Sequence, residues 1–216
     1  FSILIGGSMF IEHNNTRKPV YFGGGKDYFI LGCNFGPYTS KYYYEKYCNF
    51  FRFAKDVSFR DSASYNLFSN LTNVRYNPDI VFSLESNLDI TIPVNKTAVI
   101  SMIDCSKHKF SNIKEEYENK IFEMIYRLID LKYNVVLFSF CKAEGDELAI
   151  DRVYKRINHD KLKFVTKHQY DGDIDKSLSV IKDSSLVIGT RFHSIVLALT
   201  FKKPVIATKD NWETGI

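Results

Sequence analysis

The stretch that decides the fold is SSLVIGTRFHSIVLALTFKKPVIAT, residues 184–208. It opens with a short apolar run that ends at Gly189, and from Arg191 onward the apolar residues recur at helical spacing. This change of period predicts a buried strand that passes directly into an amphipathic helix. A lysine, a proline and two β-branched residues at 203–206 then lead into another strand. A strand–helix–strand unit is typical of a parallel sheet covered by helices.

Two chemically versatile side chains, Arg191 and His193, lie where this strand joins this helix. In an open parallel sheet that junction is at the carboxyl edge, where ligands bind, and the helix start adds backbone N–H donors and a positive dipole end. The pair therefore predicts an anion site with a proton carrier beside it. The structural alternative makes Thr190 the N-cap, points Arg191 to water and leaves His193 a satisfied polar residue. A cation in a first helical turn opposes the dipole unless an anion compensates it, which favours the functional interpretation.

The spacing of these two residues restricts their geometry. Positions two apart lie about 200° round an ideal helix, so both side chains reach one pocket only if Arg191 still belongs to the turn. We expect that arrangement, with helical geometry beginning near Phe192. His193 would then act as the proton carrier.

The order strand, Gly-Thr-Arg-x-His-Ser, apolar helix and Lys-Pro-Val-Ile resembles the signature of the polysaccharide pyruvyl transferase family. Three further segments fit that family: Ile-Gly-Gly-Ser at 5–8, Gly-Pro at 36–37, and Val-Ser-Phe-Arg-Asp-Ser at 57–62 with Pro-Asp at 78–79. The resemblance covers nearly the whole chain. The Arg-x-His signature is fairly specific when it occurs together with the Arg-Asp motif, whereas the glycine pairs alone are a weak signal.

Strands and helices alternate cleanly from residue 98 onward, which predicts a parallel sheet with helices on both faces. The preceding segment, 85–96, is polar and without period, as expected of an interdomain linker. We therefore predict an α/β protein with a partial N-terminal Rossmann-like domain, residues 1–88, and a C-terminal Rossmann-like domain, residues 89–216. We expect the two domains to face a cleft, in the glycosyltransferase B-type arrangement, with strand-end loops of both lining it.

The chain begins and ends on predicted strands, so we expect a fragment that is truncated at both ends. The resemblance implies further strands before this start, and a C-terminal segment after this end that packs back on the first domain. Within the second domain the predicted strands include 162–166, and His168 is expected in a solvated loop after that strand.

Composition excludes several classes of protein. The 216 residues are 45% hydrophobic and 25% charged, which is typical of a globular chain. The net charge of +4 comes without a basic block, and the aromatic residues do not interleave with Lys or Arg, so we expect no nucleic-acid partner. Four widely spaced cysteines form no Cys-x-x-Cys pair and have no histidine at metal-ligand spacing. They predict reduced thiols in a cytoplasmic protein, with neither a disulfide framework nor a zinc site.

The resemblance implies a chemistry. Pyruvyl transfer moves the enolpyruvyl part of phosphoenolpyruvate onto two hydroxyls of a sugar, in a cell-surface polysaccharide or its lipid-linked precursor, and releases phosphate as a cyclic ketal forms. Protonation of the donor's methylene carbon creates an oxocarbenium-like centre that a sugar hydroxyl attacks. Arg191 and Arg60 would bind the donor's phosphate and carboxylate, and His193 would be the general acid or base. The scheme requires no metal and no cofactor besides the donor substrate.

The remaining candidates lie in loops that follow strands, where substrates are expected to bind. The predicted substrate-binding residues are Gly6, Gly7, Gly36, Glu144, Gly189, Thr190 and Ser194. Asp146, in the loop of Glu144, is explained by the helix dipole alone. For Arg60, an ion pair with Asp61 or Asp79 is an equal alternative. The implied partners are phosphoenolpyruvate, a saccharide acceptor and, at the periphery, the inner membrane surface, with the oligomeric state left open.

Two other functions fit the same pattern. A glycosyltransferase of the two-Rossmann-domain type also places basic and histidine residues in an interdomain cleft, where they hold a nucleotide diphosphate. A noncatalytic saccharide-binding relative is the second alternative. It is kept open by the loop at 104–108, where Asp104 and His108 stand in place of the Asn or Arg of many family members.

Overall fold

The computed structural model describes residues 1–12, 27–84, 96–107 and 111–208. The chain divides into two compact units, which within these ranges are residues 1–84 (unit 1) and 96–208 (unit 2). The predicted boundary between residues 88 and 89 lies outside the described residues. Each unit is built on a parallel sheet with helices between the strands, which confirms the predicted α/β class. That the units face a cleft stays a prediction.

Unit 1 contains a four-stranded parallel sheet in the order β1-β2-β3-β4. Its strands are β1 (Ser2–Ile5), β2 (Tyr28–Cys33), β3 (Asp56–Phe59) and β4 (Val74–Tyr76), and its helices are α1 (Lys41–Arg52) and α2 (Ser62–Phe68). Strand β2 continues as far as Cys33 through an irregularity at Gly32, whose φ of +68° favours glycine, and Cys33 pairs with Phe59.

Aromatic side chains form most of the core of unit 1. The buried face of α1 consists of Tyr43, Tyr47 and Phe51, which recur at intervals of four residues as a helix requires. The ring of Phe51 meets those of Phe10 and Phe68 edge to face, with centroids 5.0 and 4.8 Å apart. Such pairs stabilise a fold by about 0.5–1.5 kcal/mol each beyond the burial of their area.

Unit 2 contains a five-stranded parallel sheet in the order β7-β6-β5-β8-β9. Its strands are β5 (Thr97–Ser101), β6 (Asn134–Ser139), β7 (Val165–Gln169), β8 (Leu186–Gly189) and β9 (Val205–Ala207). Its helices are α3 (Lys114–Asp130), α4 (Asp146–Tyr154), α5 (Ile174–Lys182) and α6 (Phe192–Thr200). The stretch 184–208 thus forms the predicted strand–helix–strand unit, and β5 lies between β6 and β8.

The predicted strand at 162–166 is wrong by three residues. Leu162 and Phe164 suggested it by their apolar character, but they belong to a short 3-10 turn, Leu162–Phe164, and pack against the core from there. The strand β7 begins at Val165, where that residue pairs with Val135.

His168 is not in a solvated loop, because β7 extends to Gln169 and includes it. Its side chain is buried, and its ring stacks on Phe138 with centroids 4.6 Å apart. Nε2 forms a hydrogen bond of 2.9 Å with the hydroxyl of Ser177. Burial lowers the pKa of His168, and the nearby charge of Lys176 acts in the same direction.

Candidate functional site

The turn between β8 and α6 holds Arg191 in an extended conformation, with φ −82° and ψ 137°. Helix α6 begins at the next residue, Phe192, so the expectation that Arg191 belongs to the turn is confirmed. The alternative that made Thr190 the N-cap is wrong, since Arg191 occupies that position. Arg191 therefore leaves the sheet edge before helical geometry begins, as its two-residue spacing to His193 required.

Close packing of α6 on the end of β8 explains why glycine occupies position 189 and why Ser194 is buried. A Cβ atom on Gly189 would lie 2.6 Å from Oγ of Ser194 and 2.8 Å from Cγ1 of Ile195. Ser194 is fully buried, and its hydroxyl donates to the carbonyl oxygen of Arg191 at 2.5 Å. Both residues thus fix the turn that carries Arg191, and their predicted contact with substrate stays a prediction.

Thr190 anchors the same turn from the other side. Its side chain is buried, and its hydroxyl lies 3.1 Å from the hydroxyl of Tyr117 and 2.9 Å from that of Thr208, which donates to it. The Tyr117 oxygen also accepts the N–H of Ile103 at 3.3 Å. Burial raises the pKa of Tyr117, which keeps this hydroxyl neutral. Thr190 therefore links α3, β8 and the residue that follows β9.

Asp146 fixes the orientation of the Arg191 guanidinium. Nε of Arg191 donates to Oδ2 of Asp146 at 3.1 Å, and Nη2 donates to Oδ1 at 2.5 Å. Asp146 is fully buried in the first turn of α4, and its Oδ2 also accepts the N–H groups of Phe140 and Cys141 at 3.2 and 2.9 Å. Because those donors follow β6, Arg191 connects the carboxyl ends of β8 and β6 across β5. A two-point contact of this kind fixes orientation as well as charge.

A second carboxylate contacts the remaining terminal nitrogen of Arg191. Nη1 donates to Oε2 of Glu144, which ends the short 3-10 turn Lys142–Glu144. The side chain of Glu144 is 45% exposed, whereas that of Asp146 is 0% exposed. One cation and two carboxylates give this cluster a formal charge of −1. Burial disfavours the charged form of Arg191, but the hydrogen bonds and charges of Asp146 and Glu144 outweigh it and raise the pKa of Arg191.

His193 is exposed in the first turn of α6, two residues beyond Arg191. Its ring lies edge to face against that of Phe192, with centroids 5.5 Å apart. An exposed imidazole at the start of a helix is accessible to a substrate. Its role as a general acid stays a prediction.

In unit 1, Arg60 directly follows β3 and forms a second arginine cluster. Nη1 of Arg60 donates to Oδ2 of Asp79 at 2.8 Å, and Nη2 donates to Oδ1 of Asn34 at 3.1 Å. The hydroxyl of Ser8 donates to the same Asn34 oxygen at 3.1 Å. The alternative of an ion pair with Asp79 is therefore confirmed, whereas Asp61 uses its Oδ1 to cap α2.

The structure gives a different reason for glycine at each of the three predicted positions of unit 1. A Cβ atom on Gly7 would lie 2.8 Å from Nη2 of Arg60, so this guanidinium packs directly on the Gly7 backbone. A Cβ atom on Gly6 would lie 2.7 Å from the sulfur of Met9. Gly36 has φ +101°, a conformation that favours glycine, and its N–H donates to the carbonyl oxygen of Phe10 at 2.8 Å. Gly7 and Arg60 are thus in contact, and Asn34 connects them to the Gly36 loop.

Two residues that hold the arginines were not singled out as site residues from the sequence, namely Asn34 and Asp146. From the sequence alone the helix dipole is enough to explain Asp146, and Asn34 lies in the loop Gly-Cys-Asn-Phe-Gly-Pro at 32–37 without a distinguishing pattern. The available signal was position, because each follows a parallel strand and the carboxyl ends of such strands meet at one edge.

Within residues 1–12, 27–84, 96–107 and 111–208, no three His, Cys, Asp or Glu side chains are grouped as metal ligands would be. No helix in these ranges is long and apolar enough to cross a membrane. The four cysteines all lie in the described ranges and are all free thiols.

Fold and sites together define an α/β protein that holds arginine–carboxylate pairs at the ends of parallel strands. The chain belongs to the polysaccharide pyruvyl transferase family, whose sequence model matches residues 1–209. Among solved structures it resembles an α,α-trehalose-phosphate synthase (UDP-forming) from Burkholderia vietnamiensis, with 12% identity and a TM-score of 0.47 over 84% of this chain and 51% of that one. It also resembles the N-terminal domain of trehalose-6-phosphate phosphatase from Candida albicans, with 10% identity and a TM-score of 0.47 over 85% of this chain and 57% of that one. The chain therefore spans about half the length of these structures.

Proposed function

We propose that this chain transfers a pyruvyl group from phosphoenolpyruvate to a sugar of a cell-surface polysaccharide or its lipid-linked precursor, as a cyclic ketal. Membership of the family supports the proposal. The observation that carries it is the turn after β8, where a guanidinium held by the buried Asp146 precedes an exposed imidazole by two residues. A fixed cation beside a proton carrier suits a phosphorylated enol substrate.

The donor has two anionic groups, a phosphate and a carboxylate, on either side of a reactive vinyl carbon. We assign Arg191 to one of these groups, because a guanidinium matches both phosphate and carboxylate oxygens with parallel N–H bonds. Each charge-assisted hydrogen bond of this kind contributes about 1.5–3 kcal/mol. Arg60 is proposed as the second cation of the reaction. Its position is fixed by Asp79 and Asn34 and by the backbone of Gly7.

His193 is proposed as the group that moves the proton. In its cationic form it gives a proton to the methylene carbon of the donor, and the adjacent carbon becomes an oxocarbenium-like centre. One sugar hydroxyl adds to that carbon and gives its proton to the imidazole, which the first step has left neutral. The second hydroxyl then displaces phosphate, which takes up the proton that this hydroxyl loses, so that the products are the ketal with its new methyl group and one phosphate. A positioned acid of this kind contributes about 10²–10⁴ in rate.

Two measurements test the proposed function. Phosphate release from phosphoenolpyruvate should require a saccharide acceptor, and phosphoenolpyruvate should raise the melting temperature of the protein, since a ligand that binds only the folded state stabilises it. A nucleotide sugar that raises the melting temperature, with no effect of phosphoenolpyruvate, would indicate a glycosyltransferase. Stabilisation by saccharide without any phosphate release would indicate a noncatalytic relative.

The place of the reaction belongs to the same proposal. A lipid-linked acceptor would bring the protein to the inner membrane surface from the cytoplasm, and cell fractionation with the acceptor lipid present and absent would test this. Recovery of the protein in the periplasm would contradict it.

A further inference from the structure

The hydroxyl of Tyr117 lies between the ends of two neighbouring strands of unit 2. Its oxygen accepts the N–H of Ile103, which lies two residues beyond β5, at 3.3 Å. The same oxygen lies 3.1 Å from Oγ1 of Thr190, the residue that follows β8. Strands β5 and β8 are paired in register as far as Ser101 and Gly189. Tyr117 therefore joins the two strands just beyond the point where their pairing ends.

The core of unit 2 fixes the ring that carries this hydroxyl. On α3, Tyr117 is followed at intervals of four residues by Ile121 and Ile125, so the three side chains share one face of the helix. Both isoleucines are buried, and the ring of Tyr117 packs against the same apolar cluster. Packing of this kind keeps the hydroxyl in one place, which is what a residue needs if it is to position another group.

Thr190 passes this constraint on to the turn that carries Arg191. Its Oγ1 also accepts a hydrogen bond of 2.9 Å from the hydroxyl of Thr208. The N–H and the hydroxyl of Thr208 lie 2.9 and 3.1 Å from the carbonyl oxygen of Gly189. The chain is thus held from two sides immediately before Arg191. Because a single planar peptide group joins Thr190 to Arg191, a displacement of the first residue moves the second.

We propose that Tyr117 is a positioning residue for donor binding, which holds Thr190 and, through it, the guanidinium of Arg191 where phosphoenolpyruvate binds. Tyr117 itself does not contact the substrate. This inference rests on the proposed function, because it concerns the affinity for that donor. It also changes the role expected of Thr190, whose hydroxyl then holds the turn and not the substrate.

The test removes one hydroxyl from each of two tyrosines on the same helix. Tyr117→Phe keeps the ring and loses the contacts with Thr190 and Ile103. The dissociation constant for phosphoenolpyruvate should rise at least about fivefold, since a small misplacement of a binding group is costly. Tyr126→Phe is the matched control, because the Tyr126 hydroxyl also accepts a backbone N–H, that of Asn158, at 3.1 Å. Tyr126 lies about 13 Å further along α3, so its variant should change the dissociation constant by less than about twofold.

A double variant separates positioning from general damage. In a protein that already carries Thr190→Val, the Tyr117 hydroxyl has lost the group through which it acts. Tyr117→Phe should then raise the dissociation constant by less than about twofold, whereas independent effects would multiply. If Tyr117→Phe does not fold, Thr208→Val takes its place with the same expected results, because Thr208 donates to the same Thr190 oxygen.

The dissociation constants are measured by calorimetry on the full chain. A value for Tyr117→Phe within about twofold of the unmodified protein would overturn the inference, and so would an equal rise in Tyr126→Phe. An undiminished effect of Tyr117→Phe in the Thr190→Val protein would overturn it as well, since Tyr117 would then act by another route. These outcomes leave the proposed function intact, because the unmodified protein binds phosphoenolpyruvate in each of them. If the unmodified protein does not bind it, the proposed function and this inference fail together.

Discussion

Replacing Arg191 by lysine keeps the charge and removes the two-point contact with Asp146. The guanidinium uses three nitrogens, two for Asp146 and one for Glu144. A lysine has one nitrogen on a flexible stem, and it can approach only one of these carboxylates closely at a time. Arg191→Lys therefore tests whether the geometry of the guanidinium matters beyond its charge.

The stability that Arg191→Lys should lose follows from the burial of the Arg191–Asp146 pair. The Arg191 side chain is 19% exposed and that of Asp146 is 0% exposed, so solvent screens their contact weakly. A charge-assisted hydrogen bond is worth about 1.5–3 kcal/mol, and lysine replaces some of what is lost. We expect Arg191→Lys to lower the free energy of unfolding by about 2–4 kcal/mol. For a chain of 216 residues this is a fall in melting temperature of about 5–15 °C.

Arg75 provides a matched control, because it makes the same two-point contact at the surface. Its Nε and Nη2 donate to the two carboxylate oxygens of Asp56 at 2.8 and 2.9 Å, and its side chain is 49% exposed. Exposed pairs contribute about 0–1 kcal/mol, so Arg75→Lys should lower the melting temperature by no more than about 3 °C. Differential scanning calorimetry of both variants makes the comparison. Equal shifts would refute the argument that the buried Asp146 makes the first pair the stronger one.

The Arg191→Lys protein prepared for calorimetry also tests whether Arg191 binds phosphoenolpyruvate. If Arg191 binds the donor, Arg191→Lys should also weaken phosphoenolpyruvate binding, by about tenfold or more, because lysine cannot grip two oxygens in parallel. Unchanged affinity together with a lowered melting temperature would assign Arg191 to the structure alone.

The other predictions concern the same turn and the buried histidine. His193→Asn should retain phosphoenolpyruvate binding and lower turnover by about 10² or more, as measured by phosphate release; normal turnover would make His193 structural. Gly189→Ala should destabilise the fold by about 1–3 kcal/mol in thermal unfolding, because its Cβ would lie 2.6 Å from Oγ of Ser194, and adding Ser194→Ala should recover part of the loss. Burial lowers the pKa of His168 below its ordinary value of 6.5. Just below pH 6.5 the unfolded chain therefore binds a proton at this residue that the folded chain does not bind. Because of this difference, the stability of the fold decreases as the pH falls. The drop in melting temperature between about pH 7.5 and pH 5.5 should therefore be smaller in His168→Gln, and an identical drop would exclude His168 as its source.

Strands and helices could be predicted where the spacing of the apolar residues changes along the chain. They were predicted less well where that spacing does not change. The change at Gly189 placed β8 and α6 correctly, since apolar runs and helical spacing are local properties. Around Leu162 and Phe164 the same apolar character suits a strand or a packed turn. The start of β7 depends on pairing with β6, and that register is a property of the folded sheet.

The partners of the arginines could not be predicted for a related reason. Arg60 has Asp61 beside it in sequence, but that carboxylate caps α2, and the ion pair forms with Asp79 instead. Asp146 lies 45 positions from Arg191 and follows a different strand. The sequence indicates that such loops share one edge of a sheet, whereas the choice of side chains that meet there depends on the packing of two helices.

Arg60 and Arg191 occupy equivalent places after parallel strands, but the carboxylates that contact their guanidinium groups differ in burial. Arg60 gives Nη1 to Asp79 and Nη2 to Asn34, and the side chains of Arg60 and Asp79 are only 10% and 4% exposed. A ligand that displaced Asp79 would leave a buried carboxylate without its cation, at a cost of about 3–5 kcal/mol. Arg191 has one partner that is equally buried and one, Glu144, that is half-exposed. We therefore expect an anionic substrate to reach Arg191 more readily than Arg60, which makes Arg191 the first of the two arginines to test as a donor ligand.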